Sequence, residues 1–278
     1  MSHPRKQFAQ HWLRSPTALN QIVKAAQLST DDQILEIGPG TGVLTERLLT
    51  FAQTVLAVEV DRDLCKKLVQ KFGKLDNFLL LQGDILTLPL EDYLKDFPKF
   101  QNPNKVVANI PYNITGPILE KLLGNIAQPN LNPYDLMVLL VQKEVAQRLC
   151  AVPGSRTFGA LSVRVQYLAE CELICEVPAK AFYPPPKVDS AVVRLRPRPL
   201  EHPAENPKNL EMAVKLGFAS KRKMLRNNLK SVIDRDRLTQ ILEQLKVNPQ
   251  ARAEDLSVEQ WVSLSNQLVH LTENPNEF

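Results

Sequence analysis

One stretch, Gln33-Ile34-Leu35-Glu36-Ile37-Gly38-Pro39-Gly40-Thr41-Gly42, constrains the fold of this chain more than any other. An apolar run of strand length ends in glycines at alternate positions, and Val43, Leu44, Leu48 and Leu49 follow at helical spacing. That is a buried strand turning sharply into a helix, a unit of a doubly wound, mostly parallel α/β sheet. The glycines let backbone lie directly against whatever the turn holds. They do not match the dinucleotide pattern Gly-x-Gly-x-x-Gly, because position 43 is Val. A tight strand-to-helix turn with no ligand is the alternative that this segment alone leaves open.

Later strands narrow the choice. Thr54 to Val60 reads as a second buried strand. Glu59, near its end, lies about twenty residues beyond the first glycine, the offset of a carboxylate that holds ribose hydroxyls. Phe78 to Leu81 leads through Gln82 and Gly83 to Asp84, which is placed to accept from an adenine amine, and Lys105 to Ala108 leads into Asn109. Each strand thus brings one polar residue (Glu36, Glu59, Asp84 or Asn109) to the carboxyl edge of the sheet, where open α/β folds bind ligands. With Glu36 just before the glycine turn, the arrangement suits a cofactor with an amino-acid end and no pyrophosphate: S-adenosylmethionine.

Asn109-Ile110-Pro111-Tyr112 suggests the chemistry. The exocyclic amine of adenine is a poor nucleophile because its lone pair is delocalised into the ring. An Asn side-chain oxygen and the Ile110 carbonyl can each accept one of its hydrogens, drawing the nitrogen toward a tetrahedral, more nucleophilic geometry. Pro111 fixes its own φ and pushes Ile110 out of the helical region, which makes the turn rigid. Tyr112 would stack on the base. Asn109, Pro111 and Tyr112 are therefore candidate catalytic residues, although Asn-x-Pro-Tyr is also an ordinary strand-to-turn sequence.

Further segments join these two: Arg5 to Leu13, Gln142 to Val145, Phe158 to Val163, and Phe182-Tyr183-Pro184-Pro185-Pro186-Lys187-Val188-Asp189-Ser190 running on to Leu195. Together with Glu36 to Gly42 and Asn109 to Tyr112, they make the chain resemble the ribosomal RNA adenine dimethyltransferases nearly end to end, and within them the bacterial small-subunit enzymes. The resemblance implies a Rossmann-like class I methyltransferase domain and a small all-helical C-terminal domain. It implies that the N-terminal segment closes over S-adenosylmethionine, with the stretch His11 to Leu13 contributing backbone and apolar contacts, His11 and Leu13 foremost, beside Gly38, Glu59, Asp84 and Asn109, and with Gln10 near the methionine end. It puts Phe182 across the base pocket from Tyr112. The implied substrate is a pair of adjacent adenosines in the loop of the 3′-terminal hairpin of 16S rRNA, in immature small subunits, converted to N6,N6-dimethyladenosine. The family usually has Asn-Phe where this chain has His11-Trp12. A backbone contact would tolerate that change, whereas a side-chain contact would require His11 to substitute.

Composition sets bounds. At 278 residues, with 44% hydrophobic and 23% charged residues, the chain matches an ordinary globular protein of one large core and a small appendage. No run approaches a membrane span, and the N-terminus lacks the apolar stretch of a signal peptide, so a cytoplasmic location and no membrane partner are expected. Cys65, Cys150, Cys171 and Cys175 lack zinc-like spacing; neither metal nor disulfide is expected. Lys215, Lys221, Arg222, Lys223, Arg226 and Lys230 form a basic run without an acid, over an expected amphipathic helix at 221–231. Such a run is usually a solvated helix face, but beside Arg5, Lys6, Arg14 and Lys24 it fits a phosphate-reading surface, with Lys221, Arg222, Lys223 and Arg226 as RNA contacts.

Further strands are expected at 134–141, 172–177 and 188–196, with an antiparallel member among the last two. A linker with Pro197, Pro199, Pro203 and Pro207 then leads to helices near 208–219, 221–231, 235–245 and 257–271, the last opened by a capping box of Ser257 and Gln260. The expected domains are residues 1–200 and 201–278, and a monomer is the default. Three other readings compete. A large-subunit adenine methyltransferase of the macrolide-resistance type shares the glycine loop and Asn-x-Pro-Tyr. An RNA-binding assembly factor would have little use for Glu59, Asp84 and Asn109 together. A nicotinamide oxidoreductase would need glycine at position 43.

Overall fold

A computed structural model describes residues 10–273. The chain forms two compact units. The first contains the described residues within Met1–Leu122, Asn132–Ala146 and Cys171–Pro197. Its strands are β1 (Trp12–Leu13), β2 (Gln33–Ile37), β3 (Thr54–Glu59), β4 (Phe78–Gln82), β5 (Lys105–Asn109), β6 (Leu136–Gln142), most of β7 (Ala169–Val177), β8 (Phe182–Tyr183) and β9 (Ser190–Pro197).

Seven of these form one sheet in the order β4-β3-β2-β5-β6-β9-β7. The pairs β2–β3, β3–β4, β2–β5 and β5–β6 are parallel, and β9 runs antiparallel to β6. This is the Rossmann-like methyltransferase sheet that the resemblance implied, including its antiparallel member. The strands read as near-continuous apolar runs because both faces are covered; every residue of β3 is buried. Helices α1 (Pro16–Ala26), α2 (Val43–Phe51) and α3 (Arg62–Phe72) follow their strands. Ser15 caps α1, its hydroxyl accepting from the Ala18 amide with Pro in the first turn, and Asp61 caps α3 by accepting from the Asp63 amide. The chain moves outward from β2 through β3 to β4, then returns to the other side of β2 with β5. The reversal opens a crevice at the carboxyl ends of β2 and β5.

The amino ends of the same two strands are clasped by a buried ion pair. Lys105 donates to Asp32 at 2.8 Å, with side chains only 12% and 6% exposed. Asn104 and the Ser29 amide also donate to the Asp32 carboxylate. Burial alone would raise the Asp32 carboxyl, but these donors outweigh it and hold the group below its ordinary value. Asp32→Ala leaves the Lys105 ammonium, still donating to the Gln27 carbonyl, without its counter-charge and is expected to cost about 3–5 kcal/mol, measured by urea unfolding. A carboxyl with a lowered folded pKa adds stability above its unfolded pKa and loses it as pH falls through the folded value, so the variant's deficit should shrink in acid. A loss under about 1 kcal/mol at neutral pH would rule out this clasp.

The second unit comprises Leu123–Leu131, Gln147–Glu170 and the described part of Arg198–Phe278. Its last segment therefore begins at Arg198, close to the expected boundary, but the unit also takes in two earlier segments that the single boundary near residue 200 left with the sheet. Its helices are α4 (Ala160–Leu168), α5 (Pro207–Gly217), α6 (Leu225–Asn228), α7 (Arg235–Gln244) and α8 (Val258–Glu273). Ile126, Phe158, Val163 and Tyr167 from the early segments share one core with Leu210, Val214, Leu225, Ile241 and the fully buried Trp261. Gly217 admits that indole: a Cβ there would lie 2.3 Å from the Trp261 ring. The expected capping box is present, with the Ser257 amide donating to Gln260 and the Gln260 amide to the Ser257 hydroxyl.

The expected helix over 221–231 is a single turn, α6 (Leu225–Asn228). The Asn228 amide donates to the Gly217 and Ser220 carbonyls, and the Lys223 amide to the Ser220 carbonyl, so a turn replaces the first helical residues. Lys221, Arg222 and Lys223 are exposed, and Arg226 is half-buried. All four cysteines are present as thiols. Among the described residues, no helix is long and apolar enough to cross a membrane.

Candidate active site

At the crevice lies a cavity of about 250 Å³ whose lining includes Gln10, His11, Trp12, Gly38, Gly40, Glu59, Asp84, Asn109, Ile110, Pro111 and Tyr112. The parallel registers explain the gathering, because β2, β3, β4 and β5 end side by side and each releases its chain over the same edge. The ladder also continues one step beyond the strands: Gly38 donates to Val58, Gly83 to Glu59 and Ile110 to Leu140.

The glycine turn is held in the left-handed region, with φ of 67°, 59° and 77° at Gly38, Gly40 and Gly42. Gly42 also has no room for a side chain, since a Cβ would lie 2.6 Å from the Phe72 ring. Glu59 ties the turn to its own strand. Its carboxylate accepts from the Gly40 amide at 3.0 Å and from the Asp61 amide at 2.9 Å. Burial raises the Glu59 carboxyl, with those two amides opposing and the Asp61 charge adding. Asp84, exposed at the rim, accepts from the Leu86 amide through one oxygen. Gln10 lines the cavity and donates to Asp61.

A smaller chamber of about 40 Å³ adjoins, lined by Trp12, Leu13, Glu36, Gly38, Gly40 and Asn109 among others. Glu36 is 1% exposed, and neither of its oxygens has a hydrogen-bond partner; the indole Nε1 of Trp12 also lacks one. Burial, joined by the nearby Glu59 charge, pushes the Glu36 carboxyl up to about 8, and the neighbouring Thr45 hydroxyl offsets only part of this. Buried polar atoms without partners are costly, so an acid and an N–H donor around one small space describe a ligand's place.

Across the cavity, Pro111 (φ −57°, ψ 129°) takes the chain out of β5, and Tyr112 opens a short 3₁₀ turn, Tyr112–Ile114. The Tyr112 hydroxyl shares a 2.5 Å hydrogen bond with the Ser190 hydroxyl, and burial raises its pKa, so it stays a neutral phenol. The Asn109 amide Nδ2 donates to the His11 carbonyl at 3.2 Å. That contact orients the carboxamide and leaves Oδ1 to accept from a ligand. His11 contributes its ring as well: Nδ1 pairs with the Pro184 carbonyl at 2.7 Å, and the imidazole lies 5.8 Å from the Tyr112 ring at 19°.

Two of the expected site residues are not in the lining of the larger cavity. Leu13 lines the small chamber and belongs to the core. Phe182 is 4% exposed and pairs with Leu13 in the β1–β8 ribbon, within that core and outside the cavity lining. The alternation of a strand turns its neighbour outward instead: Tyr183 is exposed, with the Arg14 guanidinium 4.1 Å above its ring. Ser190 is not among the candidate residues, and Trp12 is expected only as part of the His11 to Leu13 stretch. Both stood inside quoted motifs, but nothing in those motifs tells an indole facing a ligand from one filling a core. Arg5 to Ala9 of the N-terminal motif lie outside the described residues.

The chain is similar to known proteins in sequence and in fold. The family profile described as Ribosomal RNA adenine dimethylase matches residues 1–270. The chain is 70% identical to the ribosomal RNA small subunit methyltransferase A of Nostoc sp. and 71% identical to that of Trichormus variabilis; each match covers 96% of this chain and 99% of the relative. A dimethyladenosine transferase from Plasmodium falciparum superposes with a TM-score of 0.75 at 26% identity, covering 95% of this chain and 98% of the other. The 23S rRNA methyltransferase ErmE gives 0.72 at 29%, covering 93% and 99%. The glycine turn, the carboxylates at the sheet edge and the Asn109–Tyr112 wall thus sit in a chain that belongs to the ribosomal RNA adenine dimethylase family.

Proposed function

We propose that this protein transfers methyl groups from S-adenosylmethionine to N6 of two adjacent adenosines in the loop of the 3′-terminal hairpin of 16S rRNA, giving N6,N6-dimethyladenosine in the immature small subunit. The observation that carries this reading is the Asn109 carboxamide, held by His11 so that its oxygen is left for an amine, beside Tyr112 on a cavity whose other wall bears Glu59 and Asp84. Identity near 70% to relatives named as small-subunit enzymes favours that subunit over the large one.

The residues present fit the cofactor. Glu36 and the Trp12 N–H suit the ammonium and carboxylate of an amino-acid end, the glycine turn leaves room for backbone contact, and Glu59 and Asp84 suit ribose hydroxyls and an adenine amine. When bound, S-adenosylmethionine supplies an electrophilic methyl group on positively charged sulfur. Gly38, His11 and Leu13 would complete its site, Leu13 from the smaller chamber. Asn109 Oδ1 and the Ile110 carbonyl each accept one hydrogen of the target amine, and Tyr112 stacks on the base, offsetting the few kcal/mol that unstacking costs. Phe182 is the opposing surface in this reading, and its ring reaches a base only if the short β1–β8 ribbon parts. After attack the nitrogen carries an acidic proton that leaves to water, so positioning supplies most of the rate.

The deciding experiment is transfer of labelled methyl to purified small subunits lacking adenine dimethylation, with large subunits in parallel. Label in small-subunit dimethyladenosine supports the reading; label confined to large subunits replaces it with a large-subunit specificity. Binding of S-adenosylhomocysteine should also strengthen as pH rises toward 8, by up to about tenfold per pH unit, because an ammonium pairs with Glu36 only after the raised carboxyl loses its proton. Calorimetry in buffers of different ionisation enthalpy should show proton release, absent in Glu36→Gln; a flat profile in the native protein would exclude Glu36 from the site.

The second unit is assigned to RNA contact through Lys221, Arg222, Lys223 and Arg226. Neutralising all four is expected to weaken subunit binding and to reduce the slope of log K against log salt by about 3. An unchanged slope would place the RNA on another face.

A further inference from the structure

His11 stacks beside Tyr112, the ring read above as the target base's partner. Its imidazole and the phenol of Tyr112 both line the cavity, 5.8 Å apart and 19° from parallel, which is an offset stack. The ring is pinned on a second side: a carbonyl oxygen only accepts, so Nδ1 carries the proton and donates to Pro184 at 2.7 Å. A third contact comes from the backbone, where the His11 carbonyl accepts from Asn109 Nδ2 at 3.2 Å. One residue therefore touches the side chain expected to hold the amine, the ring expected to hold the base, and the proline-rich turn after β8.

We propose, resting on the assignment of Tyr112 as the base's stacking partner, that the His11 imidazole is a stand-in for the target adenine: it covers Tyr112 in the free enzyme, and the flipped base must displace it. Ring and carbonyl then have separate roles. The carbonyl positions Asn109 whatever side chain the residue carries. The ring keeps Tyr112 stacked and ordered while the site is empty, and competes with the incoming base for one aromatic surface. A protein whose binding-competent form is only partly populated binds more weakly by that fraction. Removing the ring should therefore tighten RNA engagement, whereas removing a residue that binds RNA would weaken it.

The test is the steady-state kinetics of methyl transfer to small subunits lacking adenine dimethylation, with S-adenosylhomocysteine affinity measured alongside by calorimetry. His11→Asn and His11→Ala are both expected to lower KM for the subunit by roughly three- to tenfold, the worth of one aromatic pair. An unchanged or raised KM overturns the proposal, as does a gain confined to Asn or one that only tracks S-adenosylhomocysteine affinity by the same factor. The stack itself is visible by proton NMR in the free protein, which has four histidines. The His11 Cε1–H resonance, identified by its loss in His11→Asn, should be displaced by the Tyr112 ring current and return to its ordinary position in Tyr112→Leu. An undisplaced resonance overturns the stack. If Tyr112→Leu leaves KM and kcat at native values, the assignment of Tyr112 to the base has failed and the displacement fails with it, an outcome distinct from failure of the His11 variants alone.

Discussion

Asn109→Ala is expected to lower kcat for methyl transfer to undimethylated small subunits by about 10²–10³-fold, the loss typical of one preorganised polar group at a reacting centre. The cause is specific. Asn109 Nδ2 is already engaged by the His11 carbonyl at 3.2 Å, so Oδ1 is the oxygen left to draw on the amine's hydrogen. Truncation removes that acceptor and also frees the N-terminal segment from the end of β5. S-adenosylhomocysteine affinity should fall much less than kcat, because Glu59 and the glycine turn do not depend on this side chain. Quench-flow with labelled cofactor would separate the two quantities. A kcat within tenfold of the native value would mean that positioning by Tyr112 and the Ile110 carbonyl suffices, and the proposed role of Asn109 would fall.

Glu59→Ala should act on binding instead. Its carboxylate accepts from the amides of Gly40 and Asp61 in a buried setting, so truncation orphans two backbone donors at about 1–3 kcal/mol each and unties the turn from β3. Adding the contact to the ribose, the dissociation constant for S-adenosylhomocysteine should rise at least about 30-fold, the lower end of what loss of a buried hydrogen-bonded charge causes. Glu59→Gln keeps one acceptor oxygen and should fall between. Isothermal titration of the three proteins would decide; a change under threefold in Glu59→Ala would leave the ribose to other groups.

Much of the sheet was legible because parallel strands covered on both faces show themselves as unbroken apolar runs, and a polar residue that ends such a run has few places to go but the edge. Glu59, Asp84 and Asn109 were found in this way. What stayed hidden depends on partners far away in sequence. Nothing in the sequence of Ala160 to Leu168 says which core it joins, and Val163 and Tyr167 there pack with the C-terminal helices. Phe182 and Tyr183 alternate sides of a two-residue ribbon, and only pairing with Leu13 and Trp12 decides which of them is inward. The basic run read as a helix because Met224, Leu225 and Leu229 have helical spacing, but the Asn228 side chain takes the carbonyls of Gly217 and Ser220 and ends the pattern. Two departures from the family's usual residues, His11 and Trp12, were visible in the sequence, while their contacts were not.

The three-part composition of the helical unit bears on how the chain is made. Synthesis delivers Ile126 and then Phe158, Val163 and Tyr167 well before Leu210, Val214 and Trp261, the residues that cover them. Until the C-terminal segment emerges, about ten seconds later at ordinary elongation speeds, the nascent chain carries an apolar surface with nothing to close over it. A ribosome stalled near residue 200, or a fragment ending there, would present a completed sheet with those side chains bare, a chaperone client and an aggregation hazard rather than a free-standing catalytic half.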